Sequence, residues 1–254
     1  MKITYSVPAV LLMLCTAALG APSAEKIQAQ YRSAAPTSWG ERVAGVITRA
    51  PVGEKVVFFT FDACGGAGGS GADSRLIALL RREKVPATLF INSRWIDANP
   101  ALFAGLAKDP LFSIQNHGTS HRPLSVTGRR VYRIRGTDSP RGVYDEIMGC
   151  DAKIFSFTGK HPRFFRSGTA FYDDVAVKIA SALGYKIAGF DVLGDGGATF
   201  SAARIAAAAV RIRPGSIVIY HMNQPKKATF AGLARVIPQM KKQGWRFARM
   251  EEYF

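Results

Sequence analysis

Few residues in this chain combine chemistry-bearing side chains with telling positions, and most of them fall just after apolar runs. His117 and His121 stand four residues apart in His-Gly-Thr-Ser-His. That spacing can offer two imidazoles to one metal ion, and it equally suits a capped turn with two surface histidines. Asp62 closes the run Val56–Phe61, whose only polar member is Thr60. His221 closes Ser216–Tyr220; a histidine at the tip of an apolar strand is either a satisfied core residue or an acid/base catalyst. Arg166 follows Phe164 and Phe165, and a guanidinium entering the core there requires a carboxylate partner. Asp191 and Asp195 follow Lys186–Phe190; one fits a helix or turn cap, the other a partner for His221. His161 sits in the polar stretch Gly-Lys-His-Pro-Arg and reads as a surface residue.

These residues need a scaffold that carries strand tips to one place, and the rest of the chain reads that way. The composition of Val56–Phe61 suits a strand buried on both faces. A glycine-rich turn follows, then Asp73–Lys84 with Leu76, Ile77, Leu79 and Leu80 at helical spacing. Further strands are expected at 88–91, 112–115, 164–165, 186–190, 216–220 and 245–249. Helices are expected at 100–108, 143–155 and 173–183, after a Ser201 cap, and around Phe230–Met240. Strands alternating with helices imply a parallel sheet. About seven such units in this length favour an α/β fold of the distorted (β/α) barrel type, with about seven parallel strands, over a doubly wound sheet.

The chain has 254 residues and is 48% hydrophobic, enough for a sizeable core. Its net charge of +16 suggests an acidic partner. Zinc-finger spacing, aromatic RNA-binding motifs and basic repeats are absent, so a nucleic acid is not expected. Lys2 and the apolar run Val7–Leu19 have the form of an export signal, too short to span a bilayer. The expected organisation is a signal peptide over residues 1–24, a surface segment over 25–53 and a catalytic domain over 54–254, in a periplasmic or secreted protein. Two cysteines remain beyond that signal, Cys64 and Cys150; a disulfide, a free thiol and, for Cys64 beside Asp62, a metal ligand are all open.

The stretch Gly66–Gly71 has the form Gly-x-Gly-x-x-Gly, a dinucleotide-binding pattern. The acid that pattern wants about 20 residues on is missing, since Asn92 and Ser93 occupy the place. A flexible mouth to a pocket is the preferred reading. The long connection 122–140 carries Arg122, Arg129, Arg130, Arg133 and Arg135, and reads as a basic lid that could gather an anionic polymer. Trp95, Phe171 and Tyr172 follow strands and could stack on sugar rings, and Asn116 adjoins the first histidine.

Thr-Phe-Asp (60–62), His-Gly-Thr-Ser-His (117–121), Phe-Phe-Arg (164–166), Asp-Val-Leu-Gly-Asp (191–195) and Ile-Tyr-His (219–221) resemble, in order, the five motifs of the polysaccharide deacetylases, the NodB-homology family of carbohydrate esterases. The resemblance spans roughly residues 54–250. It implies metal-dependent removal of N- or O-acetyl groups from a sugar polymer or oligosaccharide. By the same resemblance Asp62 is the general base, oriented by Arg166, and His117 and His121 bind a divalent metal, usually zinc. His221 is the general acid, tuned by Asp195 more than Asp191. Asn116, Trp95, Tyr172, Arg130 and Arg133 are the candidate substrate contacts.

The match departs in three places. The second acid expected after Asp62, the third metal ligand, is Ala63 here. Asp62 itself, Asp73, Cys64 or water would have to complete the site, or the chain is a non-catalytic glycan-binding homologue. Ser-Gly-Thr follows Arg166 in place of prolines, and Gly196 replaces a tryptophan after Asp195.

Overall fold

The computed structural model describes residues 21–254. Most of the expected signal segment therefore lies outside the described residues. Among them no helix is long and apolar enough to cross a membrane.

The strands are β1 (Trp39–Gly40), β2 (Val46–Ile47), β3 (Val56–Ala63), β4 (Ala87–Ile91), β5 (Phe112–Asn116), β6 (Arg130–Val131), β7 (Ile134–Arg135), β8 (Phe164–Phe165), β9 (Tyr172–Asp173), β10 (Lys186–Ala188), β11 (Val192–Leu193), β12 (Ser216–His221) and β13 (Arg246–Phe247). The helices are α1 (Ala24–Tyr31), α2 (Ser74–Arg82), α3 (Ser93–Ala98), α4 (Pro100–Lys108), α5 (Pro140–Thr158), α6 (Asp174–Ala182), α7 (Ala202–Ala209) and α8 (Thr229–Lys242).

One curled sheet runs in the order β11-β12-β3-β4-β5-β8-β10-β2, with β13 paired to β3, and its ladders are parallel. The expected (β/α) barrel is the observed architecture. Only Gly189–Asp191 separates β10, next to the β2 end of this order, from β11 at the opposite end.

The two-residue alternation of side chains decides what reaches the centre. Along β3, Val57, Phe59 and Phe61 pack outward in one cluster with Leu76, Leu80 and Leu233. Val56 and Phe58 face inward, packed with Phe90, Phe164, Ile217 and the C-terminal Tyr253 and Phe254. Inward parity continues up each strand: from Phe58 to Thr60 and Asp62, from Phe164 to Arg166, and from Ile217 to His221. Aromatic rings plug the lower barrel, and polar groups take over at the C-terminal rim.

The segment 25–53 does more than approach the core. Helix α1 packs on α5, β2 joins the sheet beside β10, and β1 pairs with β9. The connection 122–140, expected as a structureless lid, contains the short β6–β7 hairpin, with Arg130 opposite Arg135.

Candidate active site

Arg166 is fully buried, and four of the five N–H groups of its guanidinium find acceptors. Nη1 donates to Thr60 Oγ1 and to Asp62 Oδ1, both at 2.8 Å; Nη2 donates to the Gly189 carbonyl at 2.9 Å and Nε to the Ala188 carbonyl at 3.3 Å. Its Cζ lies 4.2 Å from the centroid of the Phe90 ring. Burial alone would raise the Asp62 carboxyl; the charge of Arg166, with that of His221, outweighs it and holds the group below its ordinary value. Asp62 is therefore ionised at neutral pH.

His117 lies just beyond β5. Its Nδ1 is 2.9 Å from the Arg166 carbonyl, which can only accept, so Nδ1 carries the proton. The Nε2 lone pair then points into the site, 3.6 Å from Asp62 Oδ2 and 3.9 Å from Cys64 Sγ. His121 packs edge-on against it, with ring centroids 5.0 Å apart. Burial and the neighbouring His117 push His121 down to about 3, so it is neutral. Its Nε2 is buried with no hydrogen-bond partner, an arrangement that costs free energy unless something binds there.

The turn that bends His121 inward is held by two features that the sequence did not announce. His121 adopts a left-handed φ of 61°. The buried Glu146 of α5 accepts from the backbone N–H of Ser120 at 3.0 Å and of Arg122 at 3.2 Å, bracketing it. Behind His121 stands Gly168, where a Cβ would fall 2.5 Å from His121 Cα. That contact explains why the third motif carries glycine where proline was expected.

His221 and Asp195 form the second acid–base pair. Asp195 Oδ1 is 2.8 Å from His221 Nδ1; Oδ2 accepts from the His221 backbone at 2.7 Å and from Thr229 Oγ1 at 2.9 Å. Burial disfavours the imidazolium, but Asp195 overrides this, and the pKa of His221 is raised. Asp191 is the cap-like acid instead: it accepts from Ser216 Oγ and the Ile217 N–H.

A cavity of about 430 Å³ opens onto Asp62, Cys64, His121 and His221. Its far wall is apolar, formed by Tyr132, Ile134, Leu193 and Phe200. A Cβ at Gly196 would fall 2.3 Å from the Phe200 ring, so Phe200 covers the position where the resemblance expected a tryptophan. Phe200, Ile134 and Glu146 gave no signal in the sequence, because each is defined by what packs against it across long separations.

Several expected site residues lie elsewhere. Asp73 caps α2 through the Leu76 N–H, 3.3 Å away, and is not in the donor set that Cys64, His117 and His121 form, all within 4.8 Å of one another. Trp95 is fully buried and donates Nε1 to the Gly71 carbonyl, so it cannot stack on a sugar. Tyr172 is fully buried too, its hydroxyl between the Ser167 N–H and the Ala188 carbonyl. Asn116 braces the histidine turn from below, donating to the Ile147 carbonyl and accepting from the Gly118 N–H. Strand-end position alone could not tell a rim residue from one turned into the core. Arg130 and Arg133 are exposed on the β6–β7 hairpin, whose Tyr132 and Ile134 reach the cavity.

Cys64 and Cys150 are both free thiols, and Cys150 donates to the Ile91 carbonyl at 3.3 Å. The glycine loop is pinned by Asn223 to the Gly69 carbonyl and Gln224 to the Gly68 carbonyl, and Asn92 caps α3 where a dinucleotide site wants an acid.

Fold and site together describe an α/β barrel with two carboxylate-paired cationic groups around a potential metal-ligand set. A sequence model of the family described as polysaccharide deacetylase matches residues 49–188, and the chain belongs to that family. It is 28% identical to an uncharacterized protein of Streptomyces coelicolor, over 97% of this chain and 92% of that one. It is 27% identical to a peptidoglycan-N-acetylglucosamine deacetylase of Bacillus cereus, over 80% of this chain and 89% of that one. Among solved structures, a CE4-family pseudoenzyme of Bacillus anthracis shares the fold, with a TM-score of 0.68, 23% identity, and coverage of 82% of this chain and 68% of that one.

Proposed function

We propose that this chain is an exported, metal-dependent hydrolase that removes N-acetyl groups from a sugar polymer or oligosaccharide of chitin-oligomer, peptidoglycan or exopolysaccharide type. The observation that carries the reading is the placement of Asp62, His121 and His221 on one cavity, with His117 directly behind. Family membership supports deacetylation, and the Bacillus cereus relative, named for peptidoglycan, supports an N-acetylglucosamine-containing substrate.

The donors fit a divalent ion. Two neutral imidazoles present a directed lone pair and a partnerless buried nitrogen, beside a thiol. Imidazole and sulfur donors together suit zinc. When bound there, such an ion would polarise an acetyl carbonyl and lower the pKa of water.

The protein's own groups carry the protons. Asp62, kept ionised by Arg166, accepts the proton of the attacking water. His221, kept charged by Asp195, protonates the nitrogen as the amine leaves, since an amide anion is too unstable to depart. The apolar wall excludes water and offers faces for sugar rings. The absence of a second acid at Ala63 favours one other reading, a homologue that binds glycan without cleaving it.

Acetate release from chitin and peptidoglycan oligomers separates the two. Protein stripped by chelator and reloaded with zinc should release acetate in proportion to the zinc restored. Binding of the oligomer without acetate would establish the non-catalytic reading.

A further inference from the structure

The metal reading above leaves the third protein donor unassigned. We propose that Cys64 is that donor, so that the site is a thiolate with two imidazoles. The inference rests on a metal binding at His117 and His121.

Geometry ranks Cys64 ahead of the two carboxylates. Asp62 spends Oδ1 on Arg166, and its Oδ2, although 3.6 Å from His117 Nε2, does not join the set in which every donor is close to both others. Asp73 gives Oδ1 to the N-terminus of α2 and also stands outside that set. Cys64 Sγ lies 3.9 Å from His117 Nε2. Two donors sharing one tetrahedral zinc, at about 2.3 Å for sulfur and about 2.0 Å for nitrogen, stand roughly 3.5 Å apart. A shift of a few tenths of an ångström closes that difference. His121 contributes the buried nitrogen that lacks a partner.

The chain also aims the thiol. Gly65 has φ +67°, and a Cβ there would fall 2.5 Å from the Trp95 backbone nitrogen. Its N–H bonds the Gly69 carbonyl, folding the loop back directly after Cys64. Only glycine passes there, so the turn fixes Cys64 at the rim beside the histidines. On binding, the S–H bond breaks, the sulfur–metal bond forms and the proton passes to water. A thiolate with two imidazoles prefers zinc or cobalt to magnesium or manganese.

Cobalt(II) reconstitution of the full chain tests this. The wild type should show a near-ultraviolet sulfur-to-cobalt charge-transfer band, and Cys64→Ser should lose it while keeping visible ligand-field bands. Alkylation supplies a readout that needs no variant. At zinc one hundred times its Kd, iodoacetamide labelling of Cys64 should slow about a hundredfold, with the buried Cys150 as internal control. Bound cobalt without the charge-transfer band, or labelling indifferent to zinc, overturns the assignment. Acetate release without the band would leave the hydrolase reading intact while removing Cys64. The band without acetate release would do the reverse.

Discussion

Asp62 and Arg166 form an ion pair at 2.8 Å whose side chains are 4% and 0% exposed. The pair joins β3 to the end of β8 across the barrel and sets the charge of the proposed base. A buried pair broken on one side strands the other charge, which typically costs about 3–5 kcal/mol. Arg166→Met should destabilise the fold by about that amount in urea titration. Adding Asp62→Asn should recover part of the loss, because no lone carboxylate then remains. Asp62 is depressed in the folded state, so its contribution is present above the ordinary carboxylate range and lost as pH falls through the folded value. The acid limb of the wild-type stability curve should flatten in the double variant.

The His221–Asp195 contact predicts a pH effect of opposite sign. Asp195 raises His221, so the proposed acid stays charged to higher pH. Asp195→Asn should move the basic limb of the kcat/KM profile to lower pH and reduce kcat about 10²–10⁴-fold. An unmoved limb would remove His221 from the acid role.

Glu146 positions the histidine turn without reaching the cavity. Burial raises its carboxyl to about 7, against the opposing pull of the Arg122 and Ser120 N–H groups. Its folded value exceeds the unfolded one, so its contribution is full below the ordinary carboxylate range and fades as pH rises toward 7. Glu146→Gln should abolish that slope in the melting temperature. It should also weaken zinc binding about 10–100-fold, as loss of a supporting contact does elsewhere.

The β6–β7 hairpin places Tyr132 and Ile134 at the cavity, with Arg130 and Arg133 exposed beside them. Reversing both charges, Arg130→Glu with Arg133→Glu, should raise KM for an acidic polymer roughly five- to tenfold at low salt. KM for a neutral oligosaccharide should stay put. Equal effects on both substrates would show that the hairpin does not select charge.

Much of this architecture was legible because a polar residue stands at or just beyond the C-terminal tip of β3, β5, β8 and β12, and strand parity then sends Asp62, His117, Arg166 and His221 inward together. The paired carboxylate expected for Arg166 is Asp62, and that expected for His221 is Asp195. Burial beyond the strand tips was not legible. Trp95 and Tyr172 were expected to follow strands as Arg166 does, yet they lie in α3 and β9 and their polar atoms find backbone partners in the core. Short elements such as β2 and α3 also escaped, since two to six residues carry too little periodicity.

The central claim is that His117 and His121 hold a metal on which deacetylation depends. The most direct measurement is metal content and acetate release on the same purified samples of wild type and His117→Ala. The account predicts one zinc per wild-type chain with acetate released from an N-acetylglucosamine oligomer, and both lost in the variant. Acetate release that persists in a metal-free His117→Ala protein would contradict it.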